Sequence, residues 1–299
     1  MSQIQIHLKQ RDISPNEMAR EIEYYKKRNP GLGDLLHFYQ AIFEIQRKYI
    51  SRVEPLVYLD EEEIRARLKE GRPLLKDEDI IIDSTLFRQL LEELCEVIKA
   101  KSRFKGKFSK LLSSEELKPQ KMSDFIKKLK QTDIQYLMEF SKKVKLNMDI
   151  LFFLVQNVLI PFYERYAREV RDKIDHALWR QGFCPICGHK PLIAKFREED
   201  GLRLLHCSLC RTQWCFLRVK CPFCGNSDHE SLQYFYSEGD RGHRVDVCEM
   251  CKRYIKTSDE RELQRKVILE IEDVAGVHLD AFAKKQGYTP GAQYIAETN

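Results

Sequence analysis

Residues 184–210 read CPICGHKPLIAKFREEDGLRLLHCSLC, and residues 221–251 read CPFCGNSDHESLQYFYSEGDRGHRVDVCEMC. Each stretch opens with a Cys-Pro-x-Cys-Gly knuckle, Cys184/Cys187 or Cys221/Cys224. Each closes with a second Cys-x-x-Cys pair, Cys207/Cys210 or Cys248/Cys251. A two-residue gap lets both thiolates of one tight turn face the same ion. Four such sulfurs complete a tetrahedral site for zinc, or for iron in a rubredoxin-like centre. The proline fixes the turn, and the glycine permits the left-handed backbone that aims amide N–H groups at sulfur. The closing pairs, CSLC and CEMC, lack that glycine.

The two stretches repeat one another, so the cysteines pair in sequence order. Site one is Cys184, Cys187, Cys207 and Cys210; site two is Cys221, Cys224, Cys248 and Cys251. Interleaved pairing would break the repeat. Between the knuckles, Pro191 to Phe196 and Leu202 to Leu205 read as strands, with Glu198-Glu199-Asp200-Gly201 as the hairpin turn. Leu232 to Tyr236 and Arg244 to Val247 read the same way in the second unit. This is the pattern of two tandem zinc-ribbon or rubredoxin-like modules, 181–217 and 218–260. Each is too small for a sizeable core, so metal ligation supplies much of its stability. Eight cysteines fill two closed sites and leave no open position for water or substrate, which weighs against metal-assisted hydrolysis. No Walker loop, GxSxG, HExxH or paired Rossmann glycines occur, so no catalytic residue and no enzyme activity is expected.

Upstream, residues 1–180 read as an all-helical domain. Ser14-Pro15-Asn16-Glu17 is a capping box with proline at the first helical position. Leu36, Tyr39, Ile42, Phe43, Gln46 and Tyr49 recur at helical spacing. Asp60 caps a short helix ending near Gly71. Ser84 starts another, with Phe87, Leu90, Leu91, Leu94, Cys95 and Ile98 in one stripe. A further pattern runs from Asp133 through Phe140. A last helix is expected from about Met148 to Trp179, with a kink or break at Pro161 and ended by Gly182. Downstream, residues 261–299 return to helix, with Ile271, Val274, Ala275, His278 and Phe282 on one face up to Gly287.

With 43% hydrophobic and 32% charged residues in 299, the chain is not disordered, and 13 Gly with 10 Pro excludes a collagen-like sequence. No apolar stretch lies near MSQIQIHLKQRD, so no signal peptide is visible and a cytoplasmic location is expected, where clustered cysteines bind metal rather than form disulfides. The run Ile150 to Phe162 contains Gln156, Asn157 and Pro161 and falls short of the roughly twenty residues of a membrane span, so it reads as a buried helix.

Charge is uneven. Residues 51–100 hold 8 basic and 13 acidic residues, net −5, whereas 101–150 hold 13 and 6, net +7. That basic block includes Lys101, Arg103, Lys105, Lys107 and Lys110, then Lys127, Lys128, Lys130, Lys142, Lys143 and Lys145. It reads as a solvated helix face with a linker; contact with an acidic partner or RNA is the alternative. The cysteine-rich region 181–260 has 12 basic and 11 acidic residues. Phosphate neutralisation needs a clear positive excess. Counting eight thiolates and two divalent ions, the formal +5 of the chain falls to near +1, which favours a protein partner over nucleic acid.

Cys95 on its apolar stripe reads as a core residue. Cys215, after Trp214, reads as buried packing, with an alternative ligand or a redox thiol as the competing readings. His189 and His206 stand beside ligands and read as neighbours of the sites, since the tetrahedra are already full.

The order CPICGHKP, GLRLLHCSLCRTQW, RVKCPFCG, VDVCEMCKRYIKT, EDVAGVHLDAFAKKQGY, from Cys184 to Tyr288, resembles the formate dehydrogenase accessory protein family of the FdhE type. The resemblance implies a cytoplasmic, non-enzymatic maturation factor: a helical domain joined to two rubredoxin-like modules. Such a factor binds the catalytic subunit of molybdenum- or tungsten-dependent formate dehydrogenase and is needed for active enzyme. The eight paired cysteines match the family's metal positions, and His206, Trp214 and Lys220 match neighbouring motif positions. Position 215 departs, being Cys where the family tends to have His. Two metal ions, zinc or iron, are implied, with no membrane span; a homodimer is compatible. The alternatives are a rubredoxin-like iron redox protein and a zinc-ribbon nucleic-acid-binding protein.

Overall fold

Helical spacing in the first half becomes a layered set of helices in the computed structural model, which describes residues 8–101, 108–131 and 133–292. Helix α1 (Pro15–Arg28) starts on the expected capping box. The Glu17 amide donates to Ser14 Oγ at 3.2 Å, and the Ser14 amide donates to Glu17 Oε2 at 2.9 Å. Helices α2 (Gly33–Ile50), α4 (Ser84–Lys101) and α8 (Met148–Val170) form the centre. Ile42, Tyr49, Leu90, Leu94, Cys95, Leu154 and Val158 are fully buried there, each apolar side chain contributing about 1.5–3 kcal/mol on burial. Helices α3 (Glu61–Lys69), α5 (Ser109–Leu112), α6 (Pro119–Lys130) and α7 (Ile134–Val144) complete this half. No single helix among the described residues is long and apolar enough to cross a membrane; most of α8 is core.

Helix α8 runs unbroken through Pro161 and ends at Val170, not near Trp179. Pro161 has no N–H to offer the carbonyl of Asn157 one turn earlier. Gln46 replaces it, its Nε2 donating to Asn157 O at 3.0 Å and to Asn157 Oδ1 at 3.0 Å. A buried carbonyl satisfied by a neighbouring helix no longer forces a kink. After a short 3-10 turn, Arg171–Lys173, the chain becomes irregular, with Trp179 buried and its Nε1 donating to Phe183 O at 2.9 Å.

The second half forms one seven-stranded sheet. Its strands are β1 (Pro191–Phe196), β2 (Arg203–Cys207), β3 (Gln213–Cys215), β4 (Leu232–Ser237), β5 (Asp240–Cys248), β6 (Arg253–Asp259) and β7 (Thr289–Pro290). The order is β3-β2-β1-β6-β5-β4, with β7 beside β6. The hairpins β1/β2 and β4/β5 are those the sequence predicts, and the first closes at Gly201, whose φ is 66°. Strand β6 adds an unforeseen step: it pairs antiparallel with β5 and parallel with β1, from Ile193↔Lys256 to Phe196↔Asp259. The sheet is therefore continuous across residues 217/218. The pattern after Lys256 stays strand as far as Asp259 before the short helix α9 (Glu260–Leu263).

At the C-terminal end the expected single helical face is two helices, α10 (Leu269–Ala275) and α11 (Val277–Lys285), parted at Gly276. Ile271, Val274 and Ala275 pack with Met18, Ile22, Leu36 and Phe43 of α1 and α2. Leu279 and Ala283 instead pack against Val245, Val247 and Tyr254 of the sheet. The break turns His278 and Phe282 outward, Phe282 being 45% exposed.

A buried ionic cluster joins these ends. Glu272 Oε1 accepts from Tyr25 Oη at 2.6 Å and from Arg265 at 3.0 Å, and its Oε2 accepts from Ser258 Oγ at 2.9 Å. His243 lies between Asp240 at 2.8 Å and Glu272 at 2.7 Å. Burial alone would lower its pKa, but hydrogen bonds to the two carboxylates raise it to about 9.

Candidate metal centre

The eight predicted cysteines come together in the two predicted sets. In each, all four sulfurs lie within 4.8 Å of one another. In site one, Cys184 and Cys210 sulfurs are 3.4 Å apart, as are those of Cys187 and Cys207. In site two, Cys221/Cys251 and Cys224/Cys248 are each 3.7 Å apart. A tetrahedral metal with sulfurs at about 2.3 Å requires sulfur–sulfur edges of about 3.8 Å. The donor type, number and spacing fit, and each set can bind a metal ion.

The knuckles share one backbone design. Ile186, Leu209 and Phe223 amides each donate to the sulfur two residues earlier, at 3.4 Å. The residue after each second cysteine is left-handed: Gly188 at φ 76°, Arg211 at 58°, Gly225 at 78° and Lys252 at 54°. Glycine takes that conformation without strain, whereas a side chain costs about 1–2 kcal/mol. The closing knuckles thus reach the same shape without glycine. Arg211 has a compensating set of contacts: it donates to Glu164 Oε2 at 3.0 Å and to Gln46 Oε1 at 2.5 Å, and lies over the Phe43 ring. Its conformation was not legible beforehand, although its position after the pair was the available signal.

Sulfur electrostatics without an ion are lopsided. Burial pushes the Cys184 and Cys187 thiols well above the usual range. Against the same push, hydrogen bonds from Cys184, Cys187 and Cys210 hold Cys207 well below it. In site two, burial raises Cys221 to about 11, while Cys248, opposing its burial, is lowered by the Cys251 and Met250 amides. A bound cation would favour all four thiolates in each set.

The two sites sit differently. Site one is part of the main core, with Ile186, Leu209, Trp214 and Phe216 around it. Leu74 and Leu75 amides donate to Pro185 and Ile186 carbonyls at 2.8 Å, gripping the first knuckle from the helical half. Gln156 Nε2 donates to Ser208 O at 3.1 Å, and Gln10 Nε2 to Arg211 O at 2.6 Å. Site two lies at the margin: Cys224 is exposed and Cys251 half-buried. Gly182, expected to end a helix, bridges the two sites instead. A Cβ there would stand 2.0 Å from the Pro222 carbonyl oxygen in the second unit.

The remaining singled-out residues lie outside both sets. Cys95 is fully buried, and burial raises its thiol to about 12. Cys215 is half-buried on β3, raised to about 11 by burial. His206 is 1% exposed, its ring nitrogens have no hydrogen-bond partner, and burial lowers its pKa, with Glu270 at 3.6 Å opposing. His189 Nδ1 lies 3.1 Å from Cys187 O, and its ring meets Tyr163 edge-on. Lys101 is described in backbone alone, and Arg103, Lys105 and Lys107 of the basic block lie outside the described residues. Elsewhere in the block, Lys143 pairs with Glu116 at 2.5 Å and Lys128 lies over Tyr136.

The fold and these sites define a class: a helical body carrying a single sheet with two four-cysteine sets, each able to bind metal. Residues 183–218, spanning site one, match the family model described as FdhE, central domain. The chain is 29% identical over 286 residues to a protein FdhE homolog of Aquifex aeolicus, covering 94% of this chain and 93% of that one. It is 27% identical to protein FdhE of Salmonella arizonae, covering 91% and 84%. Among solved structures, the FdhE protein of Pseudomonas aeruginosa matches the fold with a TM-score of 0.67, at 22% identity, over 97% of this chain and 98% of that one. Along nearly its whole length the chain is similar to FdhE proteins.

Proposed function

We propose that this chain is a non-catalytic accessory factor that binds the immature catalytic subunit of formate dehydrogenase and is needed to assemble the active enzyme, acting in the cytoplasm. The observation that carries this reading is the pair of four-sulfur sets, each with its sulfurs within 4.8 Å of one another, on a chain similar to FdhE proteins over nearly its whole length. The similarity to FdhE proteins suggests the client. Cys184, Cys187, Cys207 and Cys210 would hold one ion, and Cys221, Cys224, Cys248 and Cys251 the other, zinc or iron. Such an ion, when bound, supplies charge neutralisation and a cross-link between the two knuckles of its unit.

The protein's own residues do the rest. In this reading 1–180 is the helical body, 181–217 and 218–260 are the two metal units, and 261–299 is the tail that returns to the body. The Arg211–Gln46–Asn157 chain and the Glu272 cluster hold these parts in one register, so a client meets a rigid surface rather than separate domains. The test is affinity purification of the tagged full chain under low oxygen with metal retained. Co-purification of the formate dehydrogenase catalytic subunit is expected. Absence of every formate dehydrogenase subunit from such preparations overturns the proposal.

A further inference from the structure

A cleft of about 240 Å³ opens between residues 218–223 and the β4–β5 face of the sheet, beside Cys221 and Cys248 of site two. Its lining is strongly basic: Arg203, Arg218, Lys220 and Arg244 face Asp246. That carboxylate is already engaged. Arg244 reaches it at 2.8 Å, Arg203 at 3.5 Å, and Thr257 Oγ1 donates to it at 2.6 Å. Arg218 and Lys220 have no carboxylate partner among the described residues.

The positive charge is held in place rather than trailing in solvent. Arg203 is 3% exposed, and its guanidinium donates to the carbonyls of Leu217, Arg218 and Lys220 at 3.4, 3.5 and 3.1 Å. It thereby fixes the segment that carries Arg218 and Lys220. Arg244 is held between the Phe196 and Tyr234 rings, 4.5 Å from each centroid, and Arg218 lies 4.4 Å over Phe196. Stacked guanidiniums lose little freedom when they accept an oxyanion.

Apolar side chains line the same cleft. Val219 and Tyr234 are each 56% exposed. Strand β4 forms the end of the sheet on this side, so its outer edge is unpaired. A small phosphorylated molecule would leave the apolar residues unused. A nucleic acid would need a longer positive track, and the two neighbouring four-sulfur sites add negative charge when metallated. Basic side chains set in place among exposed apolar ones, beside a free strand edge, match a polypeptide with carboxylates and an apolar residue.

We propose that this cleft is where the client docks, through an acidic, partly apolar segment of its chain. The inference rests on the client-binding reading above and names the surface that performs it. Arg218 and Val219 are the side chains to change, since both are exposed and neither adjoins a cysteine.

The experiment compares metal-loaded full-length wild type with Arg218→Glu and Val219→Asp, each confirmed to keep its metal and thermal stability. The probe is the purified formate dehydrogenase catalytic subunit. Wild type is expected to bind, each variant at least tenfold more weakly, and wild-type binding is expected to weaken as salt rises from about 0.1 to 0.5 M. If wild type binds and both variants bind equally well, this inference fails while the proposed function stands. If wild type does not bind, the proposed function fails and the inference with it. Displacement of the subunit by a 20-base-pair duplex or by inorganic pyrophosphate at 0.15 M salt would assign the cleft to phosphate and overturn the polypeptide reading.

Discussion

The two four-cysteine sites have the same chemistry and opposite settings. Site one is walled by the core of the helical half, and all four of its cysteines are buried. Site two meets solvent through Cys224, and the sheet around it is tied to the body by the Glu272 ionic cluster, by β1/β6 pairing and by Phe223 packed against the main core. A repeat in sequence therefore does not imply equal duty. Around site one, core packing and a metal would reinforce each other. Around site two, metal would bear most of the local stability.

The largest effect expected from this contrast follows from removing one ligand at each site. Cys207→Ser should lower global stability by more than about 4 kcal/mol, because it opens a buried site inside the core. Cys224→Ser should leave the helical half intact and raise hydrogen exchange in β4 and β5 alone. Equal global losses would erase the distinction. Next is Gly182→Ala. Its Cβ would collide with the Pro222 carbonyl, so the two units must separate, at about 3 kcal/mol. Metal affinity should drop at site two; a change confined to α8 would instead revive the helix-ending role.

His243 sharpens the comparison through pH. Its folded pKa is raised from 6.5 to about 9 by Asp240 and Glu272 against burial. The stabilisation is therefore complete below 6.5 and is lost as pH rises through about 9, amounting to about 3 kcal/mol. Unfolding measured from pH 6.5 to 9.5 should show this decline, and His243→Gln should flatten it. A slope unchanged by the substitution would remove His243 from the account. The smallest effect is expected from Cys215→Ser: the thiol is raised to about 11 and lies outside both sets. Metal stoichiometry and stability should stay within about 0.5 kcal/mol of wild type; loss of an ion would make Cys215 a ligand.

Short-range features were legible in the sequence. The four cysteine pairs, their sequential grouping, the β1/β2 and β4/β5 hairpins and the Ser14 capping box all depend on residues a few positions apart. Long-range features were not. Parallel pairing of β1 with β6 joins residues some sixty positions apart through a strand that directly follows a knuckle. Gln46 takes over the carbonyl that Pro161 leaves, and the helix continues past a residue that local rules read as a helix breaker. Arg211 and Lys252 take a left-handed backbone that local preference reserves for glycine, and for Arg211 tertiary contacts offset the cost. Gly182 shows the same lesson: beside a helix pattern it reads as a stop signal, and in space it is the narrow point between two metal units.

If each four-cysteine set binds one ion, one ion is held by the core and one at the margin. Native mass spectrometry of oxygen-free protein during chelator titration tests this most directly. Wild type should carry two ions per chain and release them in two steps, and Cys224→Ser should hold one ion and show only the later step. A wild-type chain with fewer than two ions, a single concerted release, or a Cys224→Ser variant that still holds two would contradict the account.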